Sequence, residues 1–130
     1  MKINISNEEM KDLVLIIDDD PRNIFALRLA LKSRGYRTVD ASSVKEGLSL
    51  IEQNENIRVV LMDMMMPEID GYEAIRLLHQ DNRYADLPVI AVTAQAMTGD
   101  REKCLQAGAK EYIAKPVDID KLIAILEKVR

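Results

Sequence analysis

The stretch LVLIIDDDPRN (residues 13–23) introduces the pattern that the rest of the chain repeats. Residues 13–17 form a continuous apolar run, which is typical of a strand covered on both faces. Three aspartates follow at 18–20, and then comes Pro21, a residue favoured in the first turn of a helix. The stretch therefore predicts a buried strand that leads through an acidic segment into a helix. Adjacent carboxylates repel one another, so this segment needs a counter-charge.

The same alternation of strand and helix continues to the end of the chain. Runs rich in apolar and β-branched residues predict strands at 13–17, 36–41, 58–62, 88–92 and 111–114. Apolar residues at helical spacing predict helices at 21–34, 43–54, 71–82, 98–107 and 118–129. The mixed run 36–41 and the short run 111–114 suit the edges of the sheet. The predicted fold is α/β, a (βα)5 parallel sheet with helices on both faces.

The composition limits the classes of function. The chain has 130 residues, enough for one domain, and a net charge of −4, which argues against nucleic acid or an anionic membrane as a partner. No apolar run approaches the roughly 18 residues of a membrane span. A single cysteine, Cys104, excludes an intrachain disulfide and a thiolate zinc cluster, so we expect a cytoplasmic protein. Residues 1–12 are polar and are expected to be a flexible lead-in to a domain at 13–130, with no output domain in the chain.

The ends of the predicted strands carry polar residues. Because right-handed crossovers make parallel strands point the same way, residues just beyond them meet at one edge of the sheet, where α/β folds place their ligands. Asp18–Asp20 follow the first strand, Asp63 the third, Thr93 the fourth and Lys115 the fifth. We therefore expect carboxylates, a hydroxyl and an ammonium group to converge.

This set of groups suits phosphoryl transfer. Carboxylate oxygens select a hard cation, and Mg²⁺ fits best because it takes one or two carboxylates and keeps other positions for waters or phosphate oxygens. Lys115 and Thr93 would bind phosphoryl oxygens. Asp63 stands alone before the loop MMMPEIDG (64–71), which makes it the best candidate nucleophile, whereas Asp18 and Asp19 would hold the metal.

Four segments carry a family resemblance. IIDDD (16–20), LMDMMMPEIDG (61–71), VTA (92–94) and YIAKP (112–116) occur in the order and at the spacing of receiver domains of two-component response regulators. The resemblance covers roughly residues 13–129 and is nearest to receivers of hybrid histidine kinases and phosphorelays. It implies a chemotaxis-regulator-like, flavodoxin-like sheet of order 2-1-3-4-5.

The resemblance also implies a role for each matching residue in phosphorylation. Asp63 would be phosphorylated by a phosphohistidine donor. Mg²⁺, for which Mn²⁺ could substitute, would be bound by Asp63, by Asp19 directly, by Asp18 mainly through water and by the backbone carbonyl of Met65. Met65 and Gln95 would tune the lifetime of the phosphoryl group.

Further implied roles concern the switch and the partners. Thr93 and Lys115 would bind the phosphoryl group, Thr93 would then move towards it, Tyr112 would pack inward, and the Lys115–Pro116 bond would be cis. A histidine kinase or a histidine phosphotransfer protein would dock near the first helix, and a downstream partner would bind the fourth helix, fifth strand and fifth helix. The domain would be a monomer or a weak, phosphorylation-dependent dimer. It would catalyse only its own phosphorylation and dephosphorylation.

Structural interpretations account for several of these residues. Asp20 is expected to be a helix N-cap before Pro21. Met64–Met66 are expected to fill gaps in the core, with no metal or redox role for their sulfurs. His79 is expected to be solvated, Cys104 to be at least half-buried, and 100–104 to be a solvated helix face.

Three other functions remain as alternatives. One is a degenerate receiver that only docks partners. Another is a small Mg²⁺-dependent phosphatase of the haloacid dehalogenase type, although Arg22 stands where that motif has Thr or Val. The third, a flavodoxin or dinucleotide binder, would need a glycine- or hydroxyl-rich loop after the first strand, where this chain has three carboxylates.

Overall fold

The computed structural model describes residues 13–67, 70–94 and 99–129, and the lead-in predicted at 1–12 lies outside them. The strands in these ranges are β1 (Leu13–Ile17), β2 (Arg37–Ala41), β3 (Ile57–Asp63), β4 (Val89–Thr93) and β5 (Glu111–Ala114). They form one parallel sheet in the order β2-β1-β3-β4-β5. The predicted flavodoxin-like order and both predicted edge strands are confirmed.

Helices follow the strands in strict alternation along the described chain. They are α1 (Pro21–Ser33), α2 (Val44–Gln53), α3 (Gly71–Gln80), α4 (Asp100–Ala107) and α5 (Ile119–Val129). Each predicted helix is present, and the differences are at the ends.

Two helix ends differ from prediction by two residues, each for a local reason. The helix α3 stops at Gln80 because the Asp81 side chain accepts a hydrogen bond from the Arg83 backbone N–H and starts a separate 3₁₀ turn. The helix α4 starts at Asp100 because Gly99, its N-cap, has a φ of 89°, a left-handed conformation that a helix interior does not allow.

The core consists of two apolar layers, one on each face of the sheet. Successive strand residues point to opposite faces, so Leu15 and Ile17 belong to one layer, and Val14 and Ile16 to the other. The first layer is completed by α2, α3 and α4, and the second by α1 and α5. Within the described ranges, none of the helices has the length and hydrophobicity needed to cross a bilayer.

Candidate functional site

Two buried carboxylates lie at the carboxyl edge of the sheet. Asp18 directly follows β1, and Asp63 is the last residue of β3. Strand pairing places Asp63 opposite Val92 on β4, so Thr93 is one residue further along the neighbouring strand. Parallel pairing thus brings residues that are distant in sequence to the same edge.

Three carboxylates at this edge are close enough to share a cation. Ligand oxygens of Asp18, Asp19 and Asp63 all lie within 4.8 Å of one another. Asp18 and Asp63 are buried, whereas Asp19 is exposed, so the cluster is open to solvent on one side. This oxygen-only donor set fits Mg²⁺, which is bound through few carboxylates and retains other ligands.

Lys115 supplies a positive charge between the two buried carboxylates. Its Nζ is 3.5 Å from Asp63 Oδ1 and 3.7 Å from Asp18 Oδ2. Its backbone N–H donates to the Thr93 carbonyl at 2.7 Å, and the Lys115–Pro116 peptide bond is cis. The end of β5 therefore holds an ammonium group against the acidic cluster, where it partly offsets the repulsion between the carboxylates.

Some neighbours of Asp63 raise its pKa and others lower it. Burial raises the pKa of Asp63 above its ordinary value, and the backbone N–H of Met65, 3.0 Å from Oδ1, opposes that rise. The Asp18 carboxylate raises the pKa further, and Lys115 lowers it. The net effect is a raised pKa, which means that the site favours added positive charge.

Asp18 is held by a residue for which the sequence analysis predicted no role. Asn23 Nδ2 donates to Asp18 Oδ2 at 2.8 Å, and the Asp20 backbone N–H donates to Asp18 Oδ1 at 2.9 Å. Asn23 lies in the first turn of α1, shortly after the acidic segment, and this position is the sequence feature from which its contact with Asp18 could have been predicted. These bonds orient Asp18 toward the cluster.

The sequence model of the response regulator receiver domain matches residues 14–127. The chain belongs to this family. It is thus a receiver domain of two-component signalling, as its sequence motifs predicted.

Relatives of this receiver domain cover nearly its whole length. It is 35% identical over 118 residues to the polar-differentiation response regulator DivK of Brucella ovis, covering 91% of this chain and 95% of DivK. The receiver domain of Francisella response regulator 1452 is 32% identical, with a TM-score of 0.83 over 92% of this chain and 96% of that one. The receiver domain of sensor histidine kinase PA1611 from Pseudomonas aeruginosa PAO1 is 35% identical, with a TM-score of 0.80 over 90% and 95% of the two chains. That last structure has a magnesium ion coordinated in its active site cleft.

The remaining predicted site residues lie around the same edge or outside the described ranges. Thr93 is buried at the end of β4, and Met65 is exposed in the turn after β3. Tyr112 is half-buried on β5 and packs against the layer formed with α2, α3 and α4. Its pKa is raised by burial and, to a smaller extent, by the Asp100 carboxylate. Gln95 lies outside the described residues.

Asp20 occupies the N-cap position of α1. Its side chain accepts a hydrogen bond from the Arg22 backbone N–H at 2.9 Å, and Pro21 is the first helical residue. The third aspartate of the opening stretch therefore starts a helix, whereas Asp18 and Asp19 belong to the acidic cluster.

Two interpretations of helix residues need correction. His79 is half-buried, not solvated, because the Leu87 carbonyl lies 2.9 Å from its Nε2 beside the last turn of α3. The segment 100–104 is not a fully solvated face, because Asp100 Oδ1 accepts a hydrogen bond from the Tyr72 hydroxyl at 3.0 Å. This bond joins α3 to the start of α4. Cys104 is buried, as predicted.

Proposed function

We propose that this receiver domain accepts a phosphoryl group on Asp63 from a phosphohistidine of a partner protein, in a reaction that requires Mg²⁺. The observation that carries the proposal is the placement of Asp63 within reach of two further carboxylates and of the Lys115 ammonium group at an edge open to solvent. Membership of the receiver family and the magnesium ion bound by the PA1611 receiver domain support it.

The transfer needs a nucleophile, a leaving group and charge neutralisation. An Asp63 carboxylate oxygen attacks phosphorus, the P–N bond breaks, and its electron pair returns to the imidazole ring of the donor. Mg²⁺, held by Asp18, Asp19, Asp63 and the backbone carbonyl of Met65, would neutralise charge on the phosphoryl oxygens. Mn²⁺ could take its place.

The other residues at the edge respond to the new charge. Lys115 moves its ion pair from the Asp63 carboxylate to a phosphoryl oxygen, and the Thr93 hydroxyl donates to another. The aspartyl phosphate carries a charge near −2 at neutral pH in place of the single charge of the carboxylate, and this more negative site favours the inward position of both groups. Tyr112 then packs inward, and the surface of α4, β5 and α5 changes for a downstream partner.

The partners follow from this chemistry. The donor is a histidine kinase or a histidine phosphotransfer protein that docks near α1, in the cytoplasm. The domain is a monomer or a weak dimer formed on phosphorylation. Water removes the phosphoryl group, at a rate tuned by Met65 and Gln95, so the domain modifies itself and turns over no separate substrate.

The test is intact mass measurement after incubation with acetyl phosphate and Mg²⁺. We expect the wild type to gain one phosphoryl group, Asp63→Asn to gain none, and Asp86→Asn, which changes an exposed aspartate, to behave as the wild type. Beryllofluoride binding should be lost in Asp19→Ala. A gain that persists in Asp63→Asn would contradict the assignment of the acceptor.

The alternatives give different outcomes in these assays and in a phosphate-release assay. A receiver that only docks partners would show no mass gain with Mg²⁺ and no beryllofluoride binding. A phosphatase of the haloacid dehalogenase type would release phosphate from added phosphomonoesters with multiple turnovers. Either result would replace the proposal.

A further inference from the structure

The methionines around Asp63 differ in their access to solvent. Met62, Met64 and Met66 are 0%, 7% and 5% exposed, whereas Met65 is 50% exposed. The three buried side chains belong to the apolar layer beneath the site, which agrees with a packing role. Met65 does not fill a gap in the core as the sequence analysis expected, because the residue is half exposed to solvent.

Met65 is also attached directly to the acceptor. Its backbone N–H donates to Asp63 Oδ1 at 3.0 Å. The side chain is attached to Cα, the atom next to that nitrogen. It is a flexible, unbranched chain whose polarizable thioether can take many positions. The Met65 sulfur is therefore only four covalent bonds from the nitrogen that donates to the acceptor carboxylate.

We propose that Met65 is a site of reversible oxidation by peroxide, and that its sulfoxide shortens the lifetime of the phosphoryl group on Asp63. The inference rests on the proposed function of Asp63. The thioether sulfur attacks one oxygen of hydrogen peroxide, the O–O bond breaks, and the other oxygen leaves as water after proton transfer. Sulfur is oxidised by two electrons, and peroxide is reduced.

The expected effect on lifetime follows from the polarity of the product. An apolar thioether next to a phosphoryl group displaces water without binding it. The sulfoxide oxygen is a hydrogen-bond acceptor that can hold a water molecule near phosphorus. One added hydrogen bond to the attacking water would speed hydrolysis about two- to tenfold.

The first arm of the test maps oxidation without reference to phosphorylation. Folded protein is treated with a low concentration of hydrogen peroxide, digested and analysed by mass spectrometry. We expect Met65 to gain an oxygen well before Met62, Met64 and Met66, and the four to react at similar rates in urea. Equal reactivity in the folded protein, or slower reaction of Met65, would overturn the inference.

The second arm measures the decay of acetyl-phosphate-labelled protein before and after peroxide. Oxidised wild type should lose its phosphoryl group about two- to tenfold faster, and methionine sulfoxide reductase should restore the original rate. Met65→Leu, compared with its own untreated sample, should be insensitive to peroxide, which controls for oxidation elsewhere. Met65→Gln should decay faster than Met65→Leu without peroxide.

The outcomes separate the two proposals. If untreated protein is never phosphorylated, the proposed function fails and the lifetime effect falls with it, whatever the oxidation map shows. If untreated protein is phosphorylated and Met65 sulfoxide leaves the decay unchanged, or Met65→Leu stays peroxide-sensitive, only this inference is overturned.

Discussion

At the scale of single residues, Asp63 is placed where a carboxylate is costly. It is buried near Asp18, and burial is the main reason why its pKa is raised. Lys115 and the Met65 backbone N–H offset part of this effect. A group held in such surroundings lowers the stability of the fold, and its presence is explained by the chemistry we propose for it.

Replacing Asp63 by Asn should stabilise the protein when divalent cations are removed with EDTA. A raised pKa means that the folded state binds more protons than the unfolded state between the ordinary and the raised pKa values, so wild-type stability falls as pH rises through this range. Above this range the loss of wild-type stability is complete. At pH 7 we therefore expect the free energy of unfolding of Asp63→Asn to exceed that of the wild type by on the order of 1 kcal/mol. Below the ordinary value of 3.8 the gain should vanish.

Urea denaturation at several pH values measures this difference. Glu55→Gln, which changes an exposed carboxylate, is the matched control and should have little effect at any pH. A loss of stability in Asp63→Asn at neutral pH would contradict the proposed balance of charges.

At the scale of secondary structure, the ends of two helices position the site. The Asp20 cap starts α1 directly after Asp18 and Asp19, and the first turn of α1 then brings Asn23 to Asp18. The helix α3 starts at Gly71, and a Cβ there would lie 2.7 Å from Met64 Sδ and 2.9 Å from Met64 Cα. The helix α1 therefore begins where the chain leaves the acidic cluster, and the start of α3 packs against the residue that follows Asp63.

Removal of the α1 cap should weaken the fold in a pH-dependent way. The Arg22 backbone N–H lowers the pKa of Asp20, so the stabilising contribution is present above the ordinary value and is lost as pH falls through the lowered one. We expect Asp20→Ala to lower the melting temperature by about 3–5 °C at pH 7. Asp20→Ser, which retains a capping oxygen, should lower the melting temperature less than Asp20→Ala does. An equal fall in the two variants would argue against capping.

The close approach at Gly71 predicts a large cost for a small change. Because the Met64 backbone cannot move aside as the end of a side chain can, Gly71→Ala should destabilise the protein by about 1–3 kcal/mol. Gln80→Ala, at an exposed position in the same helix, should stay within about 0.5 kcal/mol. Chemical denaturation of both variants tests this, and equal stabilities would show that the turn can relax.

At the scale of the whole molecule, the parallel sheet concentrates negative charge at one edge. The order β2-β1-β3-β4-β5 puts the carboxyl ends of β1 and β3 side by side, and with them the two buried aspartates. The two apolar layers pack against both faces of the sheet, so the carboxylates come together only when the chain is folded. A cation that binds there should therefore stabilise the entire fold.

We expect Mg²⁺ to raise the free energy of unfolding of the wild type. Ligand that binds only the folded state stabilises it by about 1.4 kcal/mol at ten times its dissociation constant. Asp19→Asn should abolish the rise, because Asp19 supplies one of the three clustered carboxylates but is itself exposed. Thermal unfolding with MgCl₂, and with NaCl of equal ionic strength as a control, measures this. An equal rise in Asp19→Asn, or with NaCl, would contradict a specific site.

Sequence patterns were sufficient for the order of elements and for the residues at the carboxyl edge. Apolar runs identified the strands, and strand polarity placed Asp18, Asp63, Thr93 and Lys115 at one edge, because every parallel strand points the same way. Helix ends were less predictable, since the left-handed Gly99 and the turn at Asp81 are properties of local backbone conformation.

The sequence by itself determined the fold class, the family and the chemical groups available at the site, because these depend on periodicity and on residue type. Only the tertiary structure decided which groups touch: the bond from Asn23 to Asp18, the bond from Tyr72 to Asp100, and the burial of His79. It also decided that Met65, unlike the methionines on either side of it, faces water. Contacts between side chains and solvent exposure depend on how elements pack, and that packing is set by the whole chain at once.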